Sequence, residues 1–300
     1  MKTNFRVKAG MILVCICWLT PLYGSLQQPD ARLRSEMELK AQAEENVADQ
    51  VAMGLMYDQL DGGPEDDAES VRWHMGAAQA GHPVSQYVIG HRYMSGSGLP
   101  QDKEEAVKWW HLAADQGFVR AQFNLGVSYR IGAGVDSDPI KAIHWWLKAA
   151  EEGEVKSQYW LGMSYSYGIG VEKDYSKAYE WFFEASRRDY PNAMTKIGCL
   201  YMFGHGLPYD PEAGLVWWKL AAKLADPEAL MYIGISYRHG IGFPQDFIRA
   251  YAFLSLSVLA GFEAAIDPCV ELGATLTEEE KAEAYKWAAL WVDEMPDISR

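Results

Sequence analysis

The chain has 300 residues, with 41 acidic against 27 basic side chains and a formal net charge of −14. That excess of negative charge argues against nucleic acid and anionic membrane surfaces as partners, because both require a basic face. It is compatible with a basic protein partner, and equally with acidity kept for solubility alone.

Residues 1–24 read as a secretory signal peptide. Lys2, Arg6 and Lys8 form a basic start, and Ala9–Leu22 is an apolar run broken only by Thr20 and Pro21. The run is short for a membrane span of about 20 residues. Tyr23, Gly24 and Ser25 offer a cleavage point, which predicts a periplasmic or secreted protein; an uncleaved anchor is the alternative. Val14 precedes Cys15 and Ile16 precedes Cys17, so the small residue that lipidation needs is missing. Cleavage would remove three positive charges and no negative ones, taking the net charge from −14 to −17. Residues 25–45 then read as a polar capping helix.

From about residue 46 to residue 265 the chain repeats itself every 36 residues. Glycines fall at Gly54, Gly90, Gly126, Gly162, Gly198 and Gly234, each with a tyrosine three residues later, from Tyr57 to Tyr237. Asp66, Asp102, Asp138, Asp174, Asp210 and Asp246 keep the same beat. So do Trp73, Trp109, Trp145, Trp181, Trp217 and Phe253. Six copies at one period indicate stacked helix pairs. In the third copy, Ala121, Leu125 and Tyr129 form one stripe of a first helix. Gly126 lets a second helix approach closely, at about 1 kcal/mol of helix propensity. Gly132 and Gly134 stop the first helix. Asp138 caps the second, with Pro139 tolerated in its first turn. Asp102 and Glu105 have the spacing of a capping box. Ala142, Trp145, Trp146 and Ala149 form the buried side of the second helix. In copy one Leu60 replaces the first loop glycine, which predicts an irregular turn. Acidic residues from Asp58 to Glu69 suit a solvated end repeat.

The pattern A-x3-LG-x2-Y-x2-G-x-G-x3-D-x3-A-x2-W-x3-A-x3-G resembles the Sel1-like repeat, a relative of the tetratricopeptide repeat, over about three quarters of the chain. Departures are mild: Gly214 stands where four copies have alanine, Phe253 and Leu254 replace a tryptophan pair, and Asp189 and Ala225 replace the closing glycine. The resemblance implies an all-α, right-handed α-solenoid of about six 36-residue helix-turn-helix repeats with helical caps, in which first helices line a concave face. The C-terminal cap is expected over 266–300, where Thr277 begins a helix with an acidic first turn and Ala284, Trp287, Ala288 and Trp291 on its apolar side. No linker or second domain is evident. Cys199 and Cys269 lie nearly two repeats apart, and helix pairs stack at about 10 Å per contact. A disulfide tolerates about 7 Å between Cα atoms, so two unpaired, mostly buried thiols are expected.

Motifs for catalysis or metal binding are absent from the sequence. The seven histidines are scattered. The Gly-x-Gly pairs recur with the fold period and so read as helix turns rather than phosphate loops. The tryptophan pairs fall at core positions rather than on a carbohydrate platform. No cofactor or metal is expected.

Three rows on the first helices vary between copies: Ala52, Val88, Asn124, Trp160, Lys196, Tyr232; Met56, Arg92, Ser128, Ser164, Leu200, Ser236; and Gln59, Ser95, Ile131, Tyr167, Phe203, His239. In copies four to six they gather Trp160, Tyr167, Phe203 and Tyr232, with Leu200 and Met202 beside them. Aromatics gathered in a groove are typical interaction anchors. Packing between neighbouring repeats is the competing reading. The first reading makes these residues a protein-binding face, with Arg92 and Lys196 as flanking contacts. The expected function is a non-catalytic scaffold or adaptor, monomeric until it binds. The family resemblance adds narrower roles: an envelope adaptor, a sensor regulator, a virulence-associated binder, or an immunity protein neutralising a secreted toxin such as a phospholipase. A penicillin-hydrolysing enzyme is the other class, but its cysteines and an activated serine are missing here. A eukaryotic secretory-pathway adaptor is a third alternative.

Overall fold

The computed structural model describes residues 46–59 and 64–293, together with Ser35, Glu38 and Leu39. The signal-peptide reading of 1–24, most of the 25–45 cap and the turn at Leu60 lie outside the described residues. Among those described, the regular elements are fourteen α-helices and one 3-10 turn, without strands. The fold is an all-α solenoid of stacked helix pairs.

The chain divides into two compact units, Met1–Ser137 and Asp138–Arg300. The first holds α1 (Val47–Asp58), α2 (Pro64–Gln79), α3 (Pro83–Ser95), α4 (Lys103–Asp115) and α5 (Val119–Ile131). The second holds α6 (Pro139–Glu151), α7 (Val155–Tyr167), α8 (Tyr175–Ser186), α9 (Pro191–Phe203), α10 (Pro211–Lys223), α11 (Pro227–His239) and α12 (Phe247–Leu259). It ends with a 3-10 turn (Glu263–Ala265), α13 (Ile266–Gly273) and α14 (Glu278–Asp293). The C-terminal cap is therefore two helices rather than one.

The recurring aspartate has two local tasks. At Asp102, Asp138, Asp174, Asp210 and Asp246 the backbone lies outside the helical region and the carboxylate accepts an N–H of the following first turn. In four of these copies the aspartate N–H also donates to the carbonyl of the recurring tyrosine: Asp102 to Tyr93, Asp174 to Tyr165, Asp210 to Tyr201 and Asp246 to Tyr237, at 2.9–3.1 Å. This backbone bond closes the loop and fixes its length, while the capping carboxylate is what requires aspartate there. Copy one departs, because α2 begins at Pro64 and so contains Asp66. The Asp102 box is half formed: Asp102 accepts the Glu105 N–H, but the Glu105 side chain pairs with Lys108. A complete box forms at Thr277, which accepts the Glu280 N–H at 3.2 Å while Glu280 accepts the Thr277 N–H at 2.8 Å.

From copy two onward the first helices end on a left-handed glycine, whereas α1 ends on Gln59 at φ −92°. Gly168, at φ 70°, donates its N–H to the Ser164 carbonyl, a conformation costly for a residue with a Cβ. Where glycine is replaced in the turn back to a first helix, the backbone stays left-handed: φ is 54° at Asp189 and 57° at Ala225. Inside each unit the core forms where a first-helix glycine meets the second member of the aromatic pair. Trp110, Phe182 and Trp218 stand over Gly90, Gly162 and Gly198. In copy one this place belongs to His74, fully buried above Gly54. At the C-terminal end, Trp287 and Trp291 of α14 meet Phe253 edge-on at 5.2 and 5.1 Å.

Candidate interaction face

The three variable rows separate by burial. The third row, at the ends of the first helices, is open to solvent: Tyr167 is 64 % and Phe203 58 % exposed. These two occupy the same position in successive copies of the second unit. The next loop adds His205, tilted against Phe203 at 5.8 Å and stacked on Tyr175 at 4.6 Å. Exposed Tyr209 lies four residues further on. An aromatic edge thus runs along the loops that follow α7 and α9, and the sequence rows pointed to only two of its members.

The first row is half-buried. Trp160 stacks on Trp146 of the preceding helix pair at 5.8 Å and 14°, and Tyr232 stacks on Trp218 in the same manner at 4.8 Å and 16°. Both aromatics therefore pack between repeats with one edge outward. Lys196, in the same row, pairs with both Glu228 oxygens at 2.7 and 2.8 Å, and the Tyr232 hydroxyl donates to Glu228 at 3.2 Å. This network ties α9 to α11. Burial opposes the Lys196 charge, but the Glu228 carboxylate outweighs it and the pKa rises above its ordinary value. Burial pushes the neighbouring Tyr159 hydroxyl up to about 12. Lys196 is thus a clamp between repeats rather than an open flank.

The second row corrects the sequence reading. Leu200 is 4 % exposed and packs with Phe182 and Ile197; Met202 is buried too. Ser128, Ser164 and Ser236 are also buried, and the last two donate to the carbonyls of Trp160 and Tyr232. This row turns toward the preceding helix pair, where small side chains permit close approach. The recurrence of serine in three copies was the available signal. Arg92, in the first unit, also points back: it donates to Asp58 and Asp67 at 2.6 Å each and to Ser97 at 2.8 Å. Asp58 further accepts from Ser70 and meets His74 at 3.2 Å, whose other ring nitrogen lies 3.1 Å from Ser85. Burial alone would raise the Asp58 pKa, but bonds from His74, Ser70 and Arg92 hold it at about 2. The Asp58–His74–Ser85 chain of bonds runs from the surface, where Asp58 is exposed, to His74 and Ser85, which are fully buried.

The Sel1 repeat family model matches six consecutive segments, 47–82, 83–118, 119–154, 155–190, 191–226 and 227–262. The chain belongs to the Sel1 repeat family. Sel1 repeats mediate protein–protein interaction. Among solved structures, the chain is similar to c5321, a protective antigen of uropathogenic Escherichia coli, with 29 % identity and a TM-score of 0.74. The match covers 87 % of this chain and 56 % of that one, so this chain spans little more than half the antigen's length. It is also similar to a Sel1 repeat protein from Oxalobacter formigenes, with 26 % identity and a TM-score of 0.70 over 84 % of this chain and 98 % of that one. A comparison with curated proteins found no match.

Cys199, in the fifth repeat, and Cys269, in α13 beyond the last one, are free thiols, both partly buried. Burial raises the Cys199 pKa to about 11, which makes it a poor nucleophile at neutral pH. Among the described residues, no group of three or more His, Cys, Asp or Glu side chains could hold a metal ion, and no helix is long and apolar enough to cross a membrane.

Proposed function

We propose that this Sel1 repeat protein is a non-catalytic scaffold of the cell envelope or secretory pathway that binds a protein partner through its first helices and the loops after them. Tyr167 and Phe203 carry this reading: two large aromatics at one repeat position stand in solvent while equivalent side chains in the other rows pack inward. Exposed rigid aromatics supply contact area at low entropic cost. Trp160 and Tyr232 form the half-buried floor beside them, and Lys196 with Glu228 holds that floor in place. The test is capture of a partner followed by alanine scanning. Loss of binding at Tyr167 and Phe203 is expected, and normal binding by the double variant overturns the reading.

Export belongs to the same proposal and rests on the basic start and short apolar run of residues 1–24. Mass spectrometry of the native protein should find an N-terminus within a few residues of Ser25; an intact Met1 would indicate an anchor instead. Neutralisation of a secreted toxin is a narrower form of this reading, supported by the acidic charge alone.

A further inference from the structure

Between copies four and five, within the second unit, four aromatic rings meet at the surface. Tyr179 and Phe183, one turn apart on α8, lie 5.8 Å from each other and near parallel, at 24°. Tyr201 of α9 stands against Tyr179 at 87° and 6.3 Å, and Trp217 of α10 stands against Phe183 at 79° and 6.3 Å. Two rings thus form a floor with an upright ring at each end. Phe183 is 38 % exposed, and the other three are partly buried. Aromatic faces grouped in this way attract a cation that comes within about 6 Å.

The neighbouring copies supply such a cation from their own chain, at the third residue of the second helix. In copy four it is Lys177, whose Nζ lies 5.4 Å over Tyr165 and 3.8 Å from the capping Asp174. In copy six it is Arg249, whose guanidinium lies 5.8 Å over Tyr237 and 3.5 Å from Asp246. Copy five has Ala213 at that position. Among the described residues no lysine or arginine stands over the four rings, and neither Asp210 nor Glu212, both exposed, forms an ion pair. Lys177 and Lys219, on α8 and α10, are engaged with Tyr165 and Phe243. The floor is also particular to this place. Ile143 and Leu147 hold the matching positions before Tyr165, and Leu215 and Lys219 hold them before Tyr237. Copy two has Glu105 at the third position, but Val71 and Met75 replace the two rings. Aromatic floor, capping carboxylate and neutral third residue coincide in copy five.

We propose that the box of Tyr179, Phe183, Tyr201 and Trp217 binds a lysine or arginine side chain of a protein partner, in the position that Lys177 and Arg249 take in their own copies. The cation lies on Tyr201 and donates an N–H to Asp210. That bond favours a basic side chain over a quaternary ammonium, which has no N–H to give, and the net charge of −14 favours approach of a basic partner. The site goes beyond the aromatic edge at Tyr167 and Phe203 and does not depend on it.

The experiment is a nuclear magnetic resonance titration of the full-length protein, read at the Trp217 indole N–H. The probes are the N-acetyl amides of arginine, lysine and citrulline, together with choline. Arginine and lysine should give saturable shifts. Citrulline has the shape of arginine without its charge and should bind at least about tenfold more weakly. Ala213→Arg gives copy five the cation of copy six. It should hold or raise the melting temperature and weaken both basic probes at least about tenfold. Asp210→Asn keeps the helix cap, which asparagine makes as well as aspartate, but removes the charge, and should weaken the arginine probe severalfold; it decides alone should Ala213→Arg fail to fold. No saturable shift with either basic probe, citrulline binding as tightly as arginine, or undiminished binding by the folded variants overturns the proposal. Choline binding more tightly than both basic probes also overturns it, since the ligand would then be a quaternary ammonium.

Discussion

The ring of Phe182 occupies the space that a side chain on Gly162 would need: its Cδ1 and Cε1 both lie 2.5 Å from the position of a Cβ there. The contact joins α7 to α8 and explains a glycine kept in mid-helix against its propensity. Gly162→Ala should destabilise by roughly 1–3 kcal/mol in denaturant titrations, through overpacking. Pairing it with Phe182→Leu should cost less than the sum of the two single changes, since the smaller side chain makes room. Strict additivity would mean that the two residues do not compete for this space.

Ala225 holds a left-handed backbone, φ 57°, in a turn where four other copies have glycine. That conformation costs an alanine about 1 kcal/mol or more, partly offset by the greater freedom glycine regains when unfolded. Ala225→Gly should therefore stabilise by roughly 0.5 kcal/mol. Differential scanning calorimetry of the variant checks the sign, and a lower melting temperature would show that the turn is unstrained.

The repeat was legible because its signals are periodic and local. Gly162, Tyr165 and Asp174 each serve a contact within one helix pair, so the residues recur with the period even though copy one uses its aspartate differently. The faces were harder to assign. Trp160 and Leu200 stand on neighbouring stripes of equivalent first helices, and both vary between copies. Their burial is decided by the preceding helix pair, which the residues themselves do not name. The serines at 128, 164 and 236 mark this row as packed, whereas the single leucine among them reads in isolation as a groove residue. The Lys196–Glu228 clamp spans 32 residues and is written once in the sequence, with no repetition to expose it.

Asp58 gives the first unit a defined acid sensitivity. Its pKa falls from 3.8 to about 2 in the folded protein. A lowered carboxylate pKa contributes stability that is present above the unfolded value and lost as pH falls through the folded one. Solvent screening of this partly exposed carboxylate reduces the contribution to about 1 kcal/mol, complete above about pH 5 and gone below about pH 2. Asp58→Asn should be clearly less stable than the parent at pH 7, and the gap should shrink on acidification toward about pH 2. A gap independent of pH would assign the loss to packing around His74 rather than to the carboxylate.

The two kinds of aromatic on the proposed face should separate cleanly on truncation. Trp160 and Tyr232 each stack on a core tryptophan of the preceding helix pair, so alanine there should cost roughly 1–3 kcal/mol of stability whether or not a partner is present. Tyr167 and Phe203 stand mostly in solvent, so alanine there should leave the melting temperature within about 1 °C, as surface substitutions do. If these two anchor the partner, each truncation should cost roughly 1–4 kcal/mol of binding. Comparing melting temperature with dissociation constant for all four variants therefore distinguishes floor from anchor. Partner binding untouched by Tyr167→Ala and Phe203→Ala, but weakened in proportion to lost stability by Trp160→Ala and Tyr232→Ala, would move the interface off the loop edge and onto the first-helix surface alone.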